Sequence, residues 1–225
     1  MFGKGTTEDG LATAVEAAGI GVPEIAEIDR LRAPEIDEVD RLRAHEYGLL
    51  ANLLARAPSR GFLDRLAGLK GDASPLGLAH IALAEAAAAA DPDALQREYF
   101  DLFVGVGRGE LLPYASYYRT GFLNERPLAR VREDLGRLGI ERVEGEHEPE
   151  DHLAILCEVM AGLANGRFET EPGAERRFFE RHLKPFAARL FADLETARAA
   201  RFYRAVGALG RLFMEIEAEA FELER

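Results

Sequence analysis

The sequence predicts an all-α protein, a single-domain helical bundle of roughly nine helices. Composition is the first reason: 37 Ala and 30 Leu stand against 9 Val, 8 Ile and 6 Thr, so strong helix formers far outnumber β-branched residues. Long stretches also repeat their apolar residues at intervals of three and four, the period of one helix face. Finally, those stretches are bounded by Ser, Asp-Pro and Gly signals that start and stop helices. With 225 residues and 48% hydrophobic content, the chain is long enough to bury a sizeable core.

The formal charge of −12 disfavours a protein built to hold nucleic acid or anionic lipid, since phosphate would be repelled over most of the surface. A single cysteine, Cys157, excludes an internal disulfide framework and a cysteine-rich zinc site. The first residues carry Lys4, Glu8, Asp9 and Glu16 with no continuous apolar run, unlike a secretory signal. The run from Ala79 to Ala90 is interrupted by His80 and Glu85 and is too short to span a bilayer. A soluble, cytoplasmic protein is expected.

Residues 1–33 are expected to form an N-terminal extension, disordered in its Gly- and Thr-rich first ten residues, with a short helix from Leu11 to Ala18. Residues 23–33 (PEIAEIDRLRA) and 34–44 (PEIDEVDRLRA) form a tandem repeat identical at 9 of 11 positions. Eleven residues make almost three turns, so Ile25, Ile28 and Leu31 align with Ile36, Val39 and Leu42. Pro34 is unfavourable inside a continuous helix and is read as the first-turn residue of the first helix of the 34–225 domain. That helix should run through Tyr47, Leu50 and Leu54 to about Ala57. The upstream copy is an appendage or an amphipathic piece that docks on a partner or on the protein's own groove.

Ser59 caps a second helix over Gly61 to Leu69, and an Ala-rich helix follows from Leu76 to Ala90. Asp91-Pro92-Asp93 then supplies an N-cap, a first-position proline and a first-turn acid for a helix carrying Leu95, Tyr99, Leu102 and Phe103. From Gly105 to Gly121 the chain, GVGRGELLPYASYYRTG, should be non-helical. A helix from Glu125 to Leu138 ends at Gly139. After an acidic connector, Pro149 should open a helix to about Ala164. Glu171-Pro172 opens another, which Pro185 should kink or split, with a stripe of Phe179, Leu183, Phe186, Leu190 and Leu194. A last helix, expected from near Thr196, carries Phe202, Val206, Leu209, Phe213 and Ile216.

Few motifs carry chemistry. Gly105, Gly107 and Gly109 lack the strand before and the helix after that a dinucleotide loop needs, so they read as a turn requiring positive φ. His147, Glu148, Pro149, Glu150, Asp151 and His152 form the densest set of possible ligands, but the histidines are five apart with a proline between them, not the HExxH spacing. His152 shares a helical face with Leu156, Val159 and Leu163, which suggests a hydrogen-bonded core residue. Cys157 reads as a small buried hydrophobe. There is no GxSxG elbow, Walker loop or CxxC pair, so the chain is not expected to be an enzyme. Glu141 to Asp151 holds six acids against Arg142. Together with the Leu-, Tyr- and Pro-rich 105–121 segment it could line a groove for a basic and apolar peptide.

EYFDLFVGVGRGELLPYASYYRTG (98–121), EPEDH (148–152), Leu42 to Ala57 and Arg181 to Leu194 resemble the TorD/DmsD family of molybdoenzyme maturation chaperones, to which the nitrate-reductase chaperone NarJ is related. The resemblance covers roughly residues 38–218. Val106 stands where the family often has Pro, and Tyr114-Ala115-Ser116 replaces a frequent aromatic-Glu-Ser. It implies an all-helical protein that binds the N-terminal, commonly twin-arginine, leader of a molybdenum-containing oxidoreductase subunit. The chaperone would aid cofactor insertion and delay export. By motif match, Glu148, Pro149, Asp151, His152, Leu102, Phe103, Gly105, Gly107, Pro113, Ser116 and Tyr117 carry over to leader binding. Acids near Glu148 to Asp151 would attract the arginine pair, and Leu112, Tyr114 and Tyr117 would take the apolar part. The expected partners are the molybdoenzyme catalytic subunit and its leader, with no nucleic acid or membrane, for a monomer or homodimer that holds no cofactor or metal of its own. The alternative reading is a metal-dependent hydrolase using His147, Asp151 and His152.

Overall fold

The computed structural model describes residues 37–141, 148–168 and 170–223, and all its regular elements are helical. The first repeat copy, Pro34, the Leu11 to Ala18 helix, and Glu144, Glu146 and His147 lie outside the described residues. In chain order the elements are α1 (Glu38–Ala55), α2 (Arg60–Leu66), α3 (Pro75–Ala89), α4 (Pro92–Tyr99), α5 (Ala115–Thr120) and α6 (Arg126–Arg137). They continue with α7 (Leu153–Ala164), α8 (Ala174–Phe178), α9 (Ala187–Thr196) and α10 (Phe202–Leu223). A π turn extends α4 over Phe100–Val104, and another extends α8 over Phe179–Leu183. Among the described residues, no helix is long and apolar enough to cross a membrane.

The start signals act as the sequence indicates. Ser59, Ser74 and Asp91 each accept a hydrogen bond from the backbone N–H three residues on. Pro185 falls in the break between the π turn and α9, and the stripe from Phe179 to Leu194 is buried throughout.

Packing builds one core within the compact unit Ile36–Arg225. The most extensive helix pair is α1 with α7, followed by α9 with α10, and α10 also packs on α3. Close approach of α9 and α10 requires Gly207, where a Cβ would come within 2.8 Å of the Phe191 carbonyl oxygen.

Four local expectations are corrected. Residues 115–120, expected to be non-helical, form α5. The helix expected at Pro149 begins at Leu153 instead, because His152 is its N-cap: Nδ1 accepts from the Ala154 N–H at 3.1 Å. The last helix begins at Phe202, not near Thr196. There Glu98, buried on α4, accepts from the N–H groups of Arg201, Phe202 and Tyr203 at 2.7, 3.3 and 2.9 Å and supplies the start from a distant helix.

The fourth correction concerns two stripes. Val39 and Leu42 are 58% and 62% exposed, and Ile216 is 43% exposed. The inward face of α1 runs through Asp40, Arg43, Tyr47, Leu50 and Leu54, and that of α10 through Phe213, Glu217 and Phe221. Arg43 reaches Glu217 with Nε and Nη2, both at 2.7 Å, and Tyr47 donates its hydroxyl to the same carboxylate at 2.8 Å. Glu175 and Asp40 complete the set at 2.5 and 2.9 Å. Burial alone would favour a neutral guanidinium, but the hydrogen bond and charge of Glu217, with Glu175 and Asp40, outweigh it and hold Arg43 charged. The same burial, with Glu217 beside it, raises the Tyr47 hydroxyl.

Candidate functional site

The site forms where α4 loses its regular pattern. The π turn closes with the Gly105 N–H donating to the Phe100 carbonyl at 2.7 Å, and Gly105 takes φ of +64°. Any Cβ there would sit 2.1 Å from the Arg108 carbonyl oxygen, so the position demands glycine. The chain then folds back, and the N–H groups of Glu110 and Leu111 take the Asp101 and Leu102 carbonyls at 3.0 and 2.8 Å. The glycine run is therefore a turn of positive φ at Gly105 and Gly107, as expected, with no strand in front of it.

The returning strand of chain is clipped to residues 151–153. The Ala115 N–H donates to the Asp151 carbonyl at 3.0 Å and the Leu153 N–H to the Pro113 carbonyl at 2.8 Å, an isolated antiparallel bridge centred on Tyr114 and His152. Above it the Tyr114 and His152 rings meet edge to face at 5.1 Å. Asp151 Oδ2 accepts from the Ser116 N–H at 2.7 Å and, at short range, from the Ser116 hydroxyl. That carboxylate stands at the N-terminus of α5 and satisfies a donor that α5's own residues leave free. The two segments carrying the family resemblance thus form one clip, with residues from each completing the other.

Burial divides the expected site residues. Leu102, Pro113, Ser116, Asp151 and His152 are buried, Phe103, Gly105, Leu112, Tyr114, Tyr117 and Pro149 are partly exposed, and Gly107 and Glu148 are exposed. The buried members can serve a leader only by positioning. The acids do not gather into one surface: Asp151 faces Ser116, Glu150 pairs with Arg132 at 2.8 Å, and Glu148 accepts from the Tyr114 hydroxyl at 2.5 Å. Burial first, and Glu148 second, raise the Tyr114 hydroxyl. Cys157 is fully buried and burial pushes its thiol up, which fits the reading of a small hydrophobe.

The hydrolase set does not assemble. Asp151 and His152 are occupied within the clip, His147 lies outside the described residues, and among the described residues no three His, Cys, Asp or Glu side chains converge so as to hold a metal ion.

Burial lowers His152, with Glu148 and Asp151 opposing it, and burial likewise lowers His182 despite Asp134 at 2.6 Å. His80 is raised by its hydrogen bond to Glu46. As pH falls below the ordinary value of 6.5, the unfolded chain takes protons that native His152 and His182 refuse, so their contribution to stability declines. His80 acts oppositely: its contribution is present below that value and is lost as pH rises through its raised native pKa. An Asn at 152 can still cap α7 but cannot titrate there. The stability gap between wild type and His152→Asn should therefore shift in favour of the variant as pH is lowered from about 7.5 to about 5.5. Urea unfolding across that range checks it, and a pH-independent gap removes His152 as the titrating group.

Beside the clip lies an open cleft of about 430 Å³ whose walls include Leu111, Leu112, Tyr117 and Tyr118. Its charged lining was not foreseen: Arg108, Arg119 and Arg189 with Glu110 and Asp193, so none of the acids of 148–151 lines it. Arg108 lies over the Tyr117 ring at 5.2 Å and donates to its hydroxyl at 2.9 Å. A second depression of about 660 Å³ adjoins it, sharing Arg108 and Glu110. Glu98 and Glu110 were also missed as structural acids. Glu98 carried a readable signal, an acid between Leu95 and Leu102 on the apolar stripe of its helix.

The model of the nitrate reductase delta subunit family matches residues 69–192, more than half of the chain. The chaperone protein TorD of Vibrio cholerae serotype O1 (strain N16961) is 40% identical over 82 residues, 36% of this chain and 37% of that relative. TorD of Shewanella loihica is 25% identical over 197 residues, covering 77% and 90% of the two chains. The first of these alignments thus spans little more than a third of the relative's length. Among solved structures, one described as a redox enzyme maturation protein from Archaeoglobus fulgidus matches with a TM-score of 0.53 at 22% identity, covering 77% of this chain and 93% of that one. That likeness concerns the fold.

Proposed function

The chain belongs to the nitrate reductase delta subunit family, within the group of TorD-like chaperones, and from that membership we propose that it binds the N-terminal leader of a molybdenum-containing oxidoreductase subunit. It would hold that subunit, in the cytoplasm, until its cofactor is inserted. The observation that carries the reading is the clip between residues 113–116 and 151–153, which fixes a cleft with Leu112 and Tyr117 on its wall. A chaperone of this kind acts by binding, and a preorganised apolar wall lowers the ordering cost of taking up an extended peptide. In a twin-arginine leader, the arginine pair would meet the exposed Glu148, and the apolar stretch would lie along Leu112 and Tyr117.

The test expresses the tagged chain with its candidate client subunit, intact or lacking its leader. Recovery of the intact subunit and loss of the truncated one is expected, and Leu112→Asp should weaken binding of the isolated leader roughly tenfold or more. Equal recovery of both client forms overturns leader recognition.

A further inference from the structure

The cleft is a cationic groove in an acidic protein. Of its two carboxylates, Glu110 accepts from the backbone N–H groups of Arg198 and Ala199 at 2.9 and 3.1 Å and from Arg198 Nε at 3.4 Å. Those bonds, led by the Arg198 N–H, hold its carboxyl below the usual range. Asp193 accepts from the Tyr118 hydroxyl at 2.9 Å. The three guanidiniums are differently placed. Arg108 donates to the Tyr117 hydroxyl, Arg189 lies over the Tyr118 ring at 5.8 Å, and among the described residues none of Arg108, Arg119 and Arg189 is ion-paired with a carboxylate. All three are exposed. Arg108 and Arg189 rest on tyrosine rings, Arg119 stands beside them, and exposed guanidiniums offer forked donors suited to carboxylates.

The apolar surface continues beyond the cleft in sequence: Phe122, next to the cleft residue Gly121, is 70% exposed, and Val106, two residues before Arg108, is 97% exposed. A partner seated here therefore meets apolar and cationic surface together. We propose that the cleft receives a stretch of the client in which apolar and acidic side chains alternate, with its carboxylates on Arg119 and Arg189 and its apolar groups against Leu111 and Tyr118, beside the Leu112 and Tyr117 that take the leader's apolar part. The proposal rests on the chaperone reading and sharpens it: the leader's arginines and the client's acids take different parts of the surface, and that division sets the orientation of the bound segment.

The test uses fluorescence anisotropy with three labelled peptides of equal length, each alternating Leu with Glu, Gln or Lys. The Leu/Glu peptide should bind wild type most tightly and the Leu/Lys peptide least. Arg119→Glu/Arg189→Glu alters only exposed side chains, so its fold is checked by circular dichroism. It should weaken the Leu/Glu peptide roughly tenfold or more and improve the Leu/Lys peptide. Leu/Lys binding best to wild type, or an unchanged ranking in the double variant, overturns the proposal. So does saturable binding of inorganic pyrophosphate with no ranking among the peptides, which would assign the guanidiniums to a phosphate ligand. Leader-dependent client recovery is measured in parallel. If recovery persists while the ranking is absent, the acidic-stretch proposal fails alone; if recovery is absent in wild type, the chaperone reading fails.

Discussion

Glu217→Ala is expected to destabilise the protein by about 3–5 kcal/mol, seen as a lower midpoint in urea and a fall in Tm on the order of 10 °C. Glu217 is 1% exposed and takes three hydrogen bonds, two from Arg43 and one from Tyr47. Its removal leaves the Tyr47 hydroxyl, fully buried, without its acceptor and strips Arg43 of its bidentate partner. Glu175 and Asp40 still hold the guanidinium, which places the cost toward the lower end of that range. Glu217→Gln should cost less, because an amide oxygen can still accept from Tyr47. The variant Arg43→Met/Tyr47→Phe/Glu217→Leu should recover much of the loss, since it removes the buried donors together with their acceptor, and a buried charge pair is expensive to break but not expensive to replace by apolar groups of similar size. A loss under about 1 kcal/mol in Glu217→Ala would show that the pair behaves as an exposed one, contrary to its burial.

That network also explains why much of the fold, but not its register, was legible in the sequence. Helix existence followed from local chemistry that tertiary structure did not override: the caps at Ser59 and Asp91, the break at Pro185 and the stripe from Phe179 to Leu194 all stand. Periodicity failed where a charge occupies the inward face. Val39, Leu42 and Ile216 continue the apolar repeats of their helices yet stay exposed, and Arg43 and Glu217 point inward in their place because each neutralises the other. Helix starts were misplaced at Pro149 and Thr196, because the groups that cap α7 and α10 are a histidine and a glutamate from another helix, neither of them a usual local signal. In the site, the 98–121 and 148–152 segments carry the family resemblance together, and the structure gives the bond-by-bond reason for their joining. The arginine lining of the cleft was not legible: Arg189 is distant in sequence from Arg108 and Arg119 and shares a wall with them only once α9 packs beside the 108–121 segment.

Asp151→Ala should cost about 2–4 kcal/mol, the second largest effect expected of a single substitution here. One carboxylate oxygen accepts both the N–H and the hydroxyl of Ser116, a residue with no solvent exposure, so the alanine variant leaves two buried donors without that acceptor. It also removes the negative charge from the N-terminus of α5, a helix of six residues that cannot hold itself together by propagation. The other oxygen, Oδ1, is buried and has no hydrogen-bond partner among the described residues. Asp151→Asn should therefore be milder, about 1 kcal/mol, since the oxygen can keep the Ser116 contacts while a neutral amide is less costly to bury than a carboxylate. Ser116→Ala keeps the backbone donor and should also be milder than Asp151→Ala. Hydrogen exchange separates a local effect from a global one. In Asp151→Ala the amides of Ala115, Ser116 and Leu153 should lose more protection than those within α9 and α10. If the core amides lose as much, the clip is part of the cooperative core. If the clip amides lose nothing, Asp151 does not hold the 113–116 segment, and the preorganised cleft wall loses its physical basis.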